Sequence, residues 1–514
     1  MKKIVCSIVG VLLYAGVMAQ SPLKTYEATI TEADLKKYLT YIASDELEGR
    51  DTGSEGQKKA ARYIIEHLEE WGLQPVVSTA SGKSYLQTFT LYKADWGEGY
   101  VTAGKKKMEF FKDYIPSGLV NIAQEKSFET VFVGYGVKDD NRDDYKGKDV
   151  KGKAVVFLSG DGSSEGQGWS GTAGLRRKNK IATDLGAGAI FEVSVADEAA
   201  FKTMVAERKA ILSRYSRMTI EKSPAASVTA VPAFVTSKAM GAALIGVKAS
   251  KLAQYKAGSA LKTRPVSIKV KSERVDKPVE TANVMGFLEG TDRKDEVVVI
   301  SAHYDHVGID EKGQIYNGAD DDGSGTCAVL ELAQAFSQAK KDGHGPRRSF
   351  LFLWVTGEEK GLLGSEYFTE HDPVIPLKNI MCDLNIDMIG RVDKKHEADP
   401  NYTYIIGSDK LSSELHAISE KANKESVNLA LDYEFNDPND PNKFYYRSDH
   451  YNFAKHKIPI AFYFTGVHED YHRPGDEVEK ILFPRYTKIV KLVFNTAWEL
   501  GNRDKRIVVD SNKP

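Results

Sequence analysis

The chain has 514 residues, of which 41% are hydrophobic, so it is long enough for two domains with apolar cores of their own. Its 70 lysines and arginines nearly balance its 72 aspartates and glutamates, and the formal net charge is −2. Because no basic tract stands out, charge gives no argument for a nucleic acid or an anionic membrane as a partner.

The first nineteen residues, MKKIVCSIVGVLLYAGVMA, are typical of a secretory signal peptide. Two lysines precede an apolar run, and Val17 and Ala19 stand at the small-residue positions before the expected cleavage point. The run is too short for a spanning helix, although an uncleaved N-terminal anchor is the alternative. We therefore expect residues 1–19 to be removed and the protein to be periplasmic or extracellular, with no membrane span.

The mature chain is predicted to begin with two helices and a strand. Thr31 opens the first helix, and apolar residues at helical spacing continue the second as far as Gly72. Residues 85–92 alternate between apolar and polar side chains, as a strand does. From about residue 113 to 276, short apolar runs separated by glycine predict a separate, mostly-β module, with one helical piece near residues 206–218.

From Val279 onward, apolar strands alternate with helical patterns, which indicates a mostly parallel sheet covered by helices. The strands are predicted at 297–300, 349–355, 380–386, 403–406 and 458–464. The helices are predicted at 326–339, 411–423 and 486–500. In such sheets, binding sites form at the carboxyl ends of the strands.

Histidines and carboxylates follow these strands. The candidates are His303, the run Asp320 to Asp322, the pair Glu358 and Glu359, Asp387, and His472. Each of these residue types alone is usually an ordinary surface or core group, but as a set they predict a metal site. Of the adjacent glutamates, one can hold a metal while the other takes a proton from a water that the metal activates, as hydrolysis requires.

At this point the sequence resembles a known family. The segments SAHYDHVG, NGADDDGSG, TGEEKGLLGSEYF, NIDMIG and DYHRPGDE are similar to those of the co-catalytic zinc aminopeptidases of metallopeptidase family 28. The resemblance implies two Zn²⁺ ions per chain, with His303 and Asp387 on one, Glu359 and His472 on the other, and Asp321 bridging them. It cannot separate zinc from cobalt or manganese as the metal loaded in the protein.

The resemblance also assigns supporting roles. Glu358 is the implied general base, and Asp305 is expected to orient His303 from outside the ligand set. Asp322 is expected to follow Asp321 through a cis peptide bond. Tyr471 matches a tyrosine that hydrogen-bonds the developing oxyanion in some members, although a structural tyrosine is the alternative.

Asp449 stands where the family often has a buried Asp–His pair, here with His450, so we expect it to support the site rather than ligate a metal. Asp320 replaces the asparagine that often precedes the bridging aspartate and is expected to add negative charge near the metals.

The resemblance extends to the domain organisation. Residues 20–112 and 277–514 together are expected to form the zinc peptidase domain, an α/β fold with a mostly parallel central sheet flanked by helices. Residues 113–276 are similar to the protease-associated domain that is inserted in many members.

The function implied is a secreted, zinc-dependent aminopeptidase that hydrolyses the N-terminal peptide bond of peptides or proteins, using water activated by two metal ions. A glutaminyl cyclase of the same fold, which needs one zinc, is an alternative. So is a carboxypeptidase, for which Arg447 could bind the substrate carboxylate. A binding protein without activity is a third, because fold alone does not fix function. The sequence says nothing of side-chain specificity or oligomeric state.

Overall fold

The computed structural model describes residues 21–118, 120–163, 168–214, 218–222 and 231–511. The expected signal peptide, residues 1–19, lies outside these ranges. Within them, no helix is both long enough and apolar enough to cross a membrane.

The helices of the described residues, numbered in chain order, are α1 (Pro22–Glu27), α2 (Glu32–Ile42), α3 (Glu55–Trp71), α4 (Gly171–Asp184), α5 (Glu198–Arg214), α6 (Lys238–Leu244), α7 (Ala249–Ala253), α8 (Gly325–Lys341), α9 (Leu363–Glu366), α10 (Ser413–Glu425), α11 (His450–Lys455) and α12 (Phe483–Asn502). The strands are β1 (Val77–Thr79), β2 (Gly82–Ser84), β3 (Leu86–Ala103), β4 (Lys106–Glu109), β5 (Tyr114–Pro116), β6 (Ile122–Phe132), β7 (Ala154–Leu158), β8 (Ala189–Val193), β9 (Met218–Thr219), β10 (Ala233–Thr236), β11 (Ser267–Leu288), β12 (Arg293–His303), β13 (Arg348–Val355), β14 (Ile380–Ile386), β15 (Tyr402–Ile406), β16 (Ala430–Asp432) and β17 (Ile460–Phe464).

The part of the chain that is expected to form the peptidase domain contains a sheet whose central strands are parallel. Strands β17, β14, β12 and β13 lie side by side in that order and run in the same direction. Strands β15 and β16 extend the sheet beyond β17, and β11 pairs with β13 in the antiparallel sense. The mostly parallel α/β fold is therefore confirmed.

Both faces of this sheet are covered, as the continuous apolar strands predict. Successive side chains of a strand point to opposite faces, so Val298 and Ile300 of β12 pack with α2, α3, α8 and α12. On the other face, Val297 and Val299 pack in a second cluster with Phe368 and Phe453. The sheet is thereby held rigid between two cores, and its carboxyl edge stays in a fixed place.

The N-terminal helices cover one face of that sheet, and local signals set their limits. The Thr31 side chain accepts a hydrogen bond from the Asp34 amide at the start of α2. The Ser54 side chain accepts one from the Gln57 amide at the start of α3. Gly72, with φ of 75°, ends α3 in the left-handed conformation that glycine adopts without strain.

The expected insert continues from the same sheet. Strand β11 pairs with β13 at one end and with β6 at the other, and β7, β8, β10 and β5 follow β6 in order. Helices α4 to α7 accompany these strands. The predicted boundary between residues 276 and 277 falls inside β11, which pairs with β3 on both sides of it. The domain limits therefore stay a prediction.

Arg50 links the N-terminal segment to the edge of the sheet where the candidate residues lie. Its side chain is fully buried and donates hydrogen bonds to four backbone carbonyls. These are the carbonyls of Ile42 and Asn317 at 2.6 Å, and of Tyr304 and Gly318 at 3.0 Å. The planar guanidinium offers several donors in a fixed fork. One side chain can therefore hold both ends of the segment that connects β12 to α8.

Substituting Arg50→Lys should lower the free energy of unfolding by at least about 1 to 3 kcal/mol, because one ammonium cannot reach all four buried carbonyls. Urea denaturation followed by circular dichroism measures the change. Arg62→Lys, on the exposed side of α3, is the matched control and should leave the midpoint unchanged. Equal midpoints for the two variants would contradict the role given to Arg50.

Candidate metal centre

The candidate residues lie at the carboxyl ends of neighbouring strands. His303 is the last residue of β12, Asp387 directly follows β14, and Glu358 and Glu359 come shortly after β13. His472 lies on the loop after β17. Because β12 pairs with both β13 and β14, their ends meet at one place on the sheet. The fold thus brings together side chains that are up to 169 positions apart in sequence.

One group of donor atoms surrounds His303. Its Nε2 atom lies 3.4 Å from Asp321 Oδ1, 3.6 Å from Asp387 Oδ1 and 3.9 Å from Glu358 Oε2. The other ring nitrogen, Nδ1, lies 3.0 Å from the Asp305 carbonyl oxygen. A carbonyl only accepts, so Nδ1 carries the proton and the lone pair of Nε2 faces the three carboxylates.

A second group lies on the other side of Asp321. Asp321 Oδ2 lies 3.1 Å from His472 Nε2, and Glu359 Oε2 lies 3.0 Å from the same nitrogen. The two oxygens of one carboxylate therefore face two different histidines. This is the arrangement that a carboxylate shared between two metal ions needs.

The sequence reasoning missed His306, which also belongs to the second group. Its Nδ1 atom lies 2.8 Å from Glu359 Oε1 and 3.8 Å from Asp321 Oδ2, and the ring is fully buried. The segment SAHYDHVG contains two histidines, and only the first was selected. The sequence does carry one indication of it: His306 lies three residues past the end of β12 and two residues before Gly308.

The donor set fits divalent cations. Ligands at 2.0 to 2.2 Å from a tetrahedral zinc lie about 3.3 to 3.6 Å apart, which is close to the spacing in both groups. Among the described residues, Asp387 Oδ1 is buried without a hydrogen-bond partner, although it lies 3.6 Å from His303 Nε2. Histidine nitrogens mixed with carboxylate oxygens are ligands that zinc accepts.

The electrostatics of the site point the same way. Burial raises the pKa of Glu358 well above its usual value, and the neighbouring Glu359 and Asp387 raise it further. Burial opposes a charge on His472, but Glu359 and Asp321 overcome this and raise its pKa to about 11. Four carboxylates crowded into a buried space repel one another unless cations lie between them.

Asp305 and Asp322 act on the backbone more than on the histidine ring. The Asp305 carboxylate lies 3.9 Å from His303 Nδ1 and instead accepts hydrogen bonds from Thr52 Oγ1 and the Glu358 amide. The resemblance implied that Asp305 orients His303. The group that does so is the Asp305 carbonyl and not the Asp305 carboxylate. The Asp321–Asp322 peptide bond is cis.

The bridging loop and Asp387 have further partners. Asp476 Oδ2 accepts hydrogen bonds from the Asp320 and Asp321 amides, and Ser448 Oγ donates to Asp387 Oδ2 at 2.7 Å. Asp320 does not face the donor atoms: its Oδ1 accepts from the Gly390 amide and from Ser324. Asp476 lies inside the segment DYHRPGDE and Ser448 directly precedes Asp449, but neither was singled out in the sequence.

Asp449 and His450 do not pair with each other. Asp449 accepts a hydrogen bond from Ser365 Oγ at 2.6 Å, whereas His450 Nε2 lies 2.8 Å from the Tyr445 carbonyl. Burial raises the pKa of Asp449 to about 7. The charges of His303, Asp305 and Asp387 also act on this pKa, so the side chain lies close to the donor atoms.

Tyr471 lies beside the donor atoms. Its ring stacks on His472 with 3.9 Å between centroids, and its hydroxyl accepts from Arg447 Nη2 at 3.4 Å. His472 and Met388, which follows Asp387, both have φ of 55°, a conformation that costs non-glycine residues energy and often occurs at functional sites.

A small pocket opens beside the donor atoms, and half of its lining residues are apolar. Asp321, Glu358 and Asp387 form part of its wall, and Arg447 and Tyr471 lie at the side. The rest of its lining is apolar: Met388, Phe444, Phe462, Phe464 and Val467. A cation-binding group at the mouth of an apolar pocket can hold a ligand that has both a polar end and an apolar side chain.

Comparison with known proteins agrees with this site. The family model described as Peptidase family M28 matches residues 283–497, the part that carries every donor residue. This match assigns residues 283–497 to peptidase family M28. Among its relatives, a probable leucine aminopeptidase 2 of Aspergillus oryzae is 33% identical over 36% of this chain and 34% of that protein. Aminopeptidase YwaD of Bacillus subtilis is 26% identical over 44% of this chain and 46% of that protein. The chain thus spans between a third and a half of the length of these two relatives.

Solved structures show the same fold over nearly the whole of this chain. An aminopeptidase from Aneurinibacillus sp. strain AM-1 covers 96% of this chain and 100% of its own, with a TM-score of 0.51 and 19% identity. BSAP, a zinc aminopeptidase from Bacillus subtilis, covers 93% of this chain and 98% of its own, also with a TM-score of 0.51 and 19% identity. At this identity the likeness concerns the fold.

Adding a divalent cation should stabilise the folded protein against unfolding, because a cation bound between the buried carboxylates is lost when the chain unfolds. Chelator-treated protein titrated with Zn²⁺ should gain about 2.7 kcal/mol per site at a hundred times the dissociation constant. Calorimetric unfolding measures the gain, and His472→Ala should reduce it. A melting temperature that does not respond to Zn²⁺ would rule out the site.

Proposed function

We propose that the protein is a zinc-dependent aminopeptidase that releases N-terminal residues from peptides. The observation that carries the proposal is the split carboxylate of Asp321, whose two oxygens face His303 and His472 while Glu358 lies beside them. We assign His303, Asp321 and Asp387 to one zinc ion and Asp321, Glu359 and His472 to another. The names of its relatives, leucine aminopeptidases and a zinc aminopeptidase, support this assignment.

Glu358 is the proposed general base. Zinc, when bound, supplies Lewis acidity, which lowers the pKa of water and polarises a scissile carbonyl. The Glu358 carboxylate then has to accept a proton from the attacking water and pass it to the leaving amine. Its carboxylate forms part of the pocket wall and lies 3.9 Å from His303 Nε2, so it is placed beside the space in which the water would be activated.

Tyr471 is the proposed donor to the oxyanion that develops on the carbonyl oxygen. Its hydroxyl accepts a hydrogen bond from Arg447, so the hydroxyl hydrogen remains available to a substrate. A hydrogen bond that strengthens as negative charge develops lowers the barrier without tightening substrate binding equally.

The apolar pocket is the proposed site for the N-terminal side chain. Phenylalanine, methionine and valine side chains line it, so leucine or a similar residue should bind better than a charged one. The carboxylates at its mouth can attract the free α-amine of the substrate. Export by residues 1–19 also belongs to the proposal and is supported by the sequence pattern alone.

A carboxypeptidase is the second candidate, and one observation favours it. Arg447 is exposed and lies in the same pocket as Glu358, where a guanidinium can pair with a substrate carboxylate. A panel of peptides with free or blocked ends separates the two functions. Acetylation of the N-terminus should abolish hydrolysis by an aminopeptidase, and amidation of the C-terminus should abolish hydrolysis by a carboxypeptidase.

Replacing the proposed base, Glu358→Gln, should lower kcat for leucyl-anilide hydrolysis by about a hundred- to ten-thousand-fold. Metal analysis should still find two zinc ions per chain, since Glu358 is not in either proposed ligand set. Glu366→Gln, on α9 in the same segment, is the control and should keep full activity. Unimpaired turnover in the Glu358 variant would refute its role.

Enlarging a pocket residue, Val467→Phe, should lower kcat/KM for leucyl substrates by about ten- to two-hundredfold, because the added ring occupies space for the side chain. Alanyl substrates should be affected much less. Steady-state kinetics on leucyl- and alanyl-anilides give the ratio. An unchanged ratio would place the side-chain pocket elsewhere.

A further inference from the structure

His306 lies in the donor cluster without a role in the five-ligand scheme. The residue is fully buried, and its Nδ1 atom lies 2.8 Å from Glu359 Oε1 and 3.8 Å from Asp321 Oδ2. Neither ring nitrogen makes a well-formed hydrogen bond in the part of the chain that the structure describes. A buried imidazole without such a bond is rare unless it binds a ligand.

The ring of His306 is fixed in this orientation by its surroundings. Its backbone amide donates to the Arg50 carbonyl, which holds the main chain in place. Gly318 lies against the ring so closely that a Cβ atom there would come within 2.6 Å of His306 Cγ. A side chain that is packed this tightly is already positioned for binding and loses little entropy when it binds.

We propose that His306 is a fourth protein ligand of the metal ion held by Asp321, Glu359 and His472. The inference rests on the proposed two-zinc function and extends it. The four donor-to-donor distances that involve His306 and His472 are 2.8, 3.0, 3.1 and 3.8 Å. They lie around the about 3.3 to 3.6 Å expected between ligands of a tetrahedral zinc.

The two metal positions then differ in kind. The position at His472 has four protein ligands, which is the composition of closed, structural zinc sites. The position at His303 has three, with Asp321 and Asp387, and so keeps a place open beside Glu358, as catalytic sites do. The metal at His472 should therefore be held more tightly, and the metal at His303 should be the one that meets the substrate.

The competing interpretation is that His306 only donates a hydrogen bond to Glu359 and so orients it. Removing such an outer partner weakens metal affinity by about ten- to a hundredfold, whereas removing a ligand should weaken it further. Affinity of the tighter site in His306→Ala, measured by chelator competition, should therefore fall by more than about a hundredfold. A smaller loss would overturn the proposal.

A spectroscopic test does not depend on affinity. In His306→Cys, the Sγ atom lies one bond nearer the backbone, but zinc-type ions bind sulfur at 2.3 Å rather than 2.0 to 2.1 Å. Loaded with Co²⁺, this variant should show a sulfur-to-cobalt charge-transfer band in the near ultraviolet. His67→Cys, on α3 among aromatic side chains, is the control and should show none. Absence of the band in the folded, loaded His306 variant would count against ligation.

The unsubstituted protein offers a third measurement, in case the variants do not fold. With ¹¹³Cd²⁺ loaded and histidine labelled with ¹⁵N, one cadmium signal should couple to two ring nitrogens and the other to one. One nitrogen on each would overturn the proposal while leaving the two-metal function intact. Two cadmium sites without leucyl-anilide hydrolysis by the zinc form would instead refute the function and leave the ligation untouched.

Discussion

One buried carboxylate connects the elements that carry the site. Asp322 Oδ2 accepts a hydrogen bond from the His303 amide at the end of β12, and Oδ1 accepts from the Gly325 amide and the Met388 amide. A strand end, the start of α8 and the turn after β14 are thus attached to a single side chain. Because one side chain holds all three amides, the donor residues keep their separation even though they come from distant parts of the chain.

Four carboxylates repel one another at the site. Asp321, Glu358, Glu359 and Asp387 are gathered where little water can reach them. A fold tolerates this only when positive charge compensates it, and the side chain of His472, whose pKa is raised by Glu359 and Asp321, supplies part of that charge in the absence of metal. In the proposed aminopeptidase, the same carboxylates would also attract the α-amine of a substrate, so that one electrostatic arrangement would serve metal binding and recognition.

Much of this could be predicted from the sequence, because strand ends in an α/β sheet are marked by apolar runs that stop at polar residues. His303, Asp387 and the Glu358–Glu359 pair were found in that way. His306 was not, because nothing in a linear pattern says whether a second histidine turns toward the first group or away from it. The prediction for Asp305 did not say which of its groups meets His303, because its carbonyl and its carboxylate lie close together and only coordinates tell them apart. The insert boundary was placed by texture, whereas β11 continues through it as a single strand.

The hydrogen bonds of Arg50 bear on the order in which the chain can fold. Its acceptors at Tyr304 and Gly318 lie 254 and 268 residues later in the sequence. At about 5 to 20 residues per second, synthesis reaches Gly318 roughly 13 to 54 s after Arg50 has been made. Throughout that time the guanidinium has no partners at this edge of the sheet, so the N-terminal segment cannot complete its packing while the chain is still growing. The last packing step of the N-terminal segment therefore depends on residues that are made well after it.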